Sequence, residues 1–199
     1  MIAGVRIYVD GHPRLRAGFQ EFLRSIREAF GARGLTWDLV MGHGHAVRDF
    51  MKALRTHPTA LNILLIDSEG PDDGHLLETL RSDGDWQPPH GTKVDASQVF
   101  WMVQLMEAWF LADRIALKQF YGGGFHEKSL PANPMVEKVP KNDVLDGLKA
   151  ATRSTQKGQY HKTVHAARIL SLLSTARVQA SAPNCRLFFE TLLEKTAAV

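Results

Sequence analysis

The chain has 199 residues, 44% hydrophobic and 23% charged, a balance that suits one α/β domain with an appendage better than two full domains. The lone cysteine, Cys185, excludes an intrachain disulfide framework and cysteine-clustered zinc sites, and it fits a reducing cytoplasm. No apolar run approaches the roughly 18 residues that span a bilayer, and MIAGVRIYVDG does not read as a signal peptide, so a cytoplasmic protein without membrane partners is expected.

Net charge is only +3, but it is unevenly spread. Residues 1–99 carry 11 Lys/Arg against 13 Asp/Glu, and residues 100–199 carry 13 against 8. No acid occurs between Asp146 and Glu190, a segment that holds Lys149, Arg153, Lys157, Lys162 and Arg168. Such a run suits contact with phosphate, with an ordinary solvated helical surface as the alternative.

VRIYV (5–9) reads as a first strand, and Pro13 opens a helix with Leu15, Phe19, Phe22, Ile26 and Phe30 on one face. LTWDLV (35–40) reads as a second strand, followed by a helix carrying Val47, Phe50, Met51 and Leu54 that ends before Pro58. LNILLI (61–66) is a continuous apolar run of the kind buried on both faces of a parallel sheet. Residues 70–95 read as loop with a short helix near Leu76–Leu80, QVFWMV (98–103) as a fourth strand, and 105–121 as one strong helix ending at Gly122. Beyond it the periodicity is helical near Asn142–Thr152, with Asn142 as N-cap, near Gln159–Ser174 and near Pro183–Thr196. The order of elements predicts a mostly parallel sheet flanked by helices over residues 1–121, with a C-terminal helical appendage over 122–199.

Functional groups of open parallel sheets gather beyond the carboxyl ends of the strands. Asp10 falls there after the first strand, and Asp67 and Glu69 after the third. If strand geometry continues to residue 69, the last two share a side, and with Asp10 they make an oxygen-only set suited to Mg²⁺ or Mn²⁺. A solvated turn is the plain alternative. Glu107 and Asp113 lie about 120° apart on a continuous helix, and Glu107 can join a ladder with Arg114 and Lys118. His43 and His45 flank Gly44 after the second strand and are weaker phosphate candidates. HExxH, GxSxG and a Walker-type glycine loop are all missing.

Taken in order, YVDG, RAGFQEFL, LLIDSEGP, WMVQLMEAWFLAD, LP-x5-EKVPK and KGQYHK resemble a bacterial family of the Toprim-like superfamily, often encoded beside an ABC/AAA-type ATPase. The resemblance implies a Toprim-like fold and Mg²⁺-dependent phosphodiester chemistry on DNA or RNA. Asp10 takes the place of the superfamily's first glutamate, and Asp67 and Glu69 those of its Asp-x-Asp pair. Glu107, Asp113, Lys141, Tyr160 and Lys162 stand at further motif positions without assigned roles. The first motif is shortened to V-D-G-H-P, and Gly44 or His43 stands near the place of a usual arginine. The expectation is therefore a nuclease-like effector of an ATPase-coupled defence module. The alternatives are a catalytically impaired binding or regulatory subunit of that ATPase and a small-molecule phosphohydrolase.

Overall fold

The computed structural model describes residues 2–197. Four parallel strands, β1 (Gly4–Val9), β2 (Thr36–Met41), β3 (Ala60–Asp67) and β4 (Val99–Met102), form a sheet in the order β2-β1-β3-β4. The helices are α1 (Arg16–Phe22), α2 (Arg24–Ala32), α3 (Ala46–Thr56), α4 (Leu76–Arg81), α5 (Ala108–Ala112), α6 (Arg114–Tyr121), α7 (Lys141–Thr152), α8 (Lys162–Leu170), α9 (Thr175–Ser181) and α10 (Pro183–Lys195). Parallel pairing demands crossovers, and these put helices on both faces, as the sequence pattern implies.

Alternation along the strands divides the core. Val5, Ile7 and Val9 of β1, Leu61, Ile63 and Leu65 of β3, and Phe100 and Met102 of β4 point into the larger cluster. That cluster continues without interruption through Trp109 and Phe110 to Val144, Ile169 and Phe188, so the C-terminal helices share the core of the sheet. Tyr8, Leu64, Ile66 and Val99 face the other way, onto Phe50, Met51 and Ala53 of α3. Helices α1 and α8 approach so closely at Gly18 that a Cβ there would collide with the backbone of Ala167.

The single helix expected from Pro13 is a 3-10 turn followed by α1 and α2, divided at Leu23, which leaves helical geometry (φ −92°, ψ 12°), and α9 lies outside the expected helices. Three further expected elements differ. The stretch 105–121 is two helices, because Asp113 leaves helical geometry (φ −126°, ψ 75°) and caps α6, its Oδ1 accepting the Ala116 N–H at 3.2 Å. The helix expected from residue 159 starts at Lys162, because Gly158 has φ 77° and the Tyr160 N–H is diverted to Thr152 Oγ1 at 2.7 Å. Helix α7 starts one residue before the expected N-cap, Asn142: Pro140 takes that place, and the Lys141 N–H finds the side chain of Gln104 at 2.7 Å. Among the described residues no helix is long and apolar enough to cross a membrane.

Candidate functional site

Strand β3 ends on Asp67, whose Oδ1 accepts the Met106 N–H at 2.8 Å. Strand geometry does not reach Glu69, which adopts φ 60°. The turn is fixed from the loop after β4: the Gln104 N–H donates to Ser68 Oγ at 2.7 Å, and the Glu69 N–H donates to the Gln104 carbonyl at 3.0 Å. Asp67 and Glu69 thus reach one pocket by way of a left-handed residue, not by alternation. The pocket, of about 270 Å³, is also lined by Glu107, Lys141, Lys149, Tyr160, His161 and Lys162.

Glu107 is the deepest of these groups, with no exposed surface. Its Oε1 accepts the Tyr160 hydroxyl at 3.0 Å and its Oε2 lies 3.4 Å from Lys162 Nζ. The same ammonium sits 3.7 Å from Asp67 Oδ2, so Lys162 bridges two carboxylates. Lys141 pairs with Glu69 at the mouth. The expected ladder is not formed, since Arg114 turns to Glu127 and the Pro131 carbonyl. Burial pushes the Asp67 carboxyl up to about 7; Lys162 opposes this, and the neighbouring charges of Glu107 and Glu69 add to it. Burial works against the charge of Lys162, yet Glu107 and Asp67 outweigh it and the ammonium is held above its ordinary range. Burial, reinforced by Glu107, also raises the Tyr160 phenol, which stays a hydrogen-bond donor.

Asp10 stands apart from this group. Its Oδ1 accepts the Gly44 N–H at 2.8 Å, in the loop after β2, whereas Asp67 is held by the loop after β4. Strand order sets those loops on opposite sides of the β1–β3 pair, so the two carboxylates are drawn apart. Among the described residues no group of three His, Cys, Asp or Glu side chains is placed to hold a metal ion. The expected Asp10–Asp67–Glu69 set is therefore not assembled. A hydrated Mg²⁺ or Mn²⁺ needs only one or two carboxylates, with water and phosphate filling its other positions. Asp67 and Glu107, already sharing one cation, fit that requirement.

The family model for DUF4276, a domain of unknown function, matches residues 15–193. The chain belongs to the DUF4276 family. No curated protein and no solved structure matches it. Every residue lining the pocket lies inside the matched stretch, and Asp10 precedes it.

The remaining expected residues are dispersed. Asp113 lies away from the pocket lining and accepts from Ser174 N–H at 2.8 Å and Arg177 at 3.1 Å. Of the basic candidates, Lys149 and Lys162 line the pocket. Lys157 lies over the Phe120 ring, Arg168 borders a groove between α1 and α8, and Arg153 is exposed. His43 and His45 are exposed, with the His43 ring edge-on to His12 at 4.8 Å. Sequence reasoning passed over Ser68 and Gln104, whose role is to shape the Glu69 turn. It also passed over Glu137, a buried carboxylate that accepts the Asn184 N–H at 2.9 Å near the start of α10. Glu137 opens the EKVPK motif and is an acid within a proline-bounded stretch, but neither signal gave it a role.

The raised Asp67 carboxyl makes stability depend on pH. Its ordinary value is 3.8 and its folded value about 7, so the folded state retains a proton that the unfolded chain releases. The associated stability is fully present below pH 3.8 and is lost as pH rises to about 7. Asp67→Asn keeps an acceptor for Met106 and removes the titration. Urea unfolding at a series of pH values is expected to show the variant gaining on the wild type as pH rises, by roughly 2–4 kcal/mol at neutrality and above.

Proposed function

We propose that the protein hydrolyses phosphodiester bonds of DNA or RNA, using Mg²⁺ or Mn²⁺ at the Asp67–Glu107 pair. The supporting observation is that Asp67, Glu69 and Glu107 meet Lys141, Lys149 and Lys162 in one pocket at the carboxyl edge of a parallel sheet. Carboxylates suit a hard divalent cation, and ammonium groups suit phosphate oxygens. Bound there, the cation would supply Lewis-acid stabilisation of a phosphoryl oxygen and a more acidic water. The chain's own groups do the positioning. The Tyr160 hydroxyl orients Glu107, the Ser68–Gln104 contacts set the Glu69 turn, and Lys162 and Lys141 are placed to exchange carboxylate for phosphate when substrate enters. In this reading the chain has the Toprim-like chemistry that its motifs resemble and is the cytoplasmic effector of an ATPase-coupled defence module.

A catalytically impaired binding or regulatory subunit is the second reading. The engagement of Asp10 by Gly44 and the pairing of the pocket acids with lysines favour it. A cleavage assay on DNA and RNA with Mg²⁺ or Mn²⁺, with the ATPase present and absent, separates the two. The wild type is expected to cleave and Asp67→Ala to lose at least 100-fold in rate, on the order expected when a group positioning the reaction is removed. No cleavage under any of these conditions, with calorimetry showing no cation binding at millimolar concentration, leaves the subunit reading.

A further inference from the structure

Helix α3 covers the sheet face opposite the C-terminal helices, with Ala46, Phe50, Met51 and Ala53 buried. Arg48, Lys52 and Arg55 are exposed at positions i, i+4 and i+7, within an arc of about 60° at 100° per residue. They line one wall of a groove of about 410 Å³ whose other wall is formed by Gly84, Asp85, Gln87 and Pro89. Asp85 is the single acid in that lining, and among the described residues none of the three cations has a salt-bridge partner. Solvated surfaces ordinarily intersperse both signs of charge. Here three cations follow one another down a single helix face.

Their direction is set by topology. Helix α3 starts after the carboxyl end of β2 and returns to the amino end of β3. Arg48 is therefore nearest the sheet edge that carries Asp67, and Arg55 lies about 10 Å farther along the helix axis. A strand crossing that edge meets basic side chains on both sheet faces: those of the C-terminal helices on one and those of α3 on the other.

We propose that Arg48, Lys52 and Arg55 form a phosphate-binding track for the backbone of the nucleic acid whose cleavage is assigned to the acidic pocket, an inference that rests on that nucleic-acid reading. The track is expected to bind sequence-independently, since its three contacts are from charge to phosphate.

The test is fluorescence anisotropy with labelled single-stranded DNA and RNA oligonucleotides over a salt series. It compares the wild type, the triple variant Arg48→Gln/Lys52→Gln/Arg55→Gln, and a C-terminal variant, Arg153→Gln/Lys157→Gln/Arg168→Gln. Three lost phosphate contacts reduce the magnitude of the log–log salt slope by about 2, at roughly 0.7 per phosphate on a single strand. The double variant Arg48→Lys/Arg55→Lys keeps the charge and is expected to keep the slope. If the triple variant matches the wild type while the C-terminal variant loses affinity, the α3 track is overturned and the nucleic-acid reading stands. If the wild type binds neither oligonucleotide in a salt-dependent manner, both fall together.

Discussion

Glu107→Ala is expected to destabilise the protein by roughly 3 kcal/mol, measured by chemical unfolding, with Glu107→Gln costing about half as much. Glu107 is fully buried and serves two donors at once, the Tyr160 hydroxyl and the Lys162 ammonium. Alanine leaves the hydroxyl of Tyr160, itself only 6% exposed, without its acceptor. Desolvating an unpaired polar group costs about 1–3 kcal/mol, and a hydrogen bond to a charged group contributes about 1.5–3 kcal/mol. The Lys162 side chain is 46% exposed, so its ammonium can turn to water, which limits the loss. Glutamine retains an acceptor for Tyr160 but loses the charge and sets its amide NH₂ toward Lys162, whose ammonium can turn to water. The pairing with Tyr160 is directly measurable: in a double-mutant cycle, Glu107→Gln and Tyr160→Phe should couple by about 1 kcal/mol. A second readout belongs to Asp67. Its carboxyl is raised in part by Glu107, so the charge-neutral variant should lower the pH at which Asp67 titrates by NMR. Unchanged stability in both variants would mean that Glu107 is not held in the buried contacts described here.

What the sequence exposed and what it hid follow from range. The apolar runs of β1 and β3 carry their burial locally, so the strands and their parallel pairing were legible, whereas the order of strands across the sheet was not. The direction in which Asp10 and Asp67 turn was not, because it depends on Gly44 and Met106, distant backbone donors on opposite sides of the β1–β3 pair. Glu107 shares a face of an ideal helix with Arg114, and Arg114 with Lys118, so a local reading favours a ladder. Burial against Tyr160, 53 residues later, overrides it. Glu69 illustrates the opposite error: two-residue alternation indicated the right neighbourhood through geometry the chain does not adopt. The helix break at Asp113 was hidden because Trp109, Ala116 and Leu117, all buried, keep helical spacing across it.

Asp113→Ala is expected to cost about 3 kcal/mol, from the loss of a helix cap and of two part-buried contacts to a carboxylate. The carboxylate, 1% exposed, accepts from three donors on two segments: Ala116 N–H in α6, and in α9 the Ser174 N–H at its start and the Arg177 guanidinium at 3.1 and 3.3 Å. Loss of the cap alone accounts for about 1 kcal/mol, and the part-buried Ser174 and Arg177 contacts supply the rest. Asn is a poor substitute. It keeps one oxygen, but its amide NH₂ must face one of these N–H donors, so Asp113→Asn should recover less than half the loss. Arg177→Ala should be milder, near 1 kcal/mol, because that guanidinium is half exposed and its removal leaves the two backbone donors satisfied. The order Asp113→Ala, Asp113→Asn, Arg177→Ala in unfolding free energy is the check. Hydrogen exchange should show the loss concentrated at the amides of Ala116 and Ser174, while amides in β1 and β3 keep the protection that global stability allows. Equal, small effects for all three variants would show that the break at residue 113 is held by packing and not by the carboxylate.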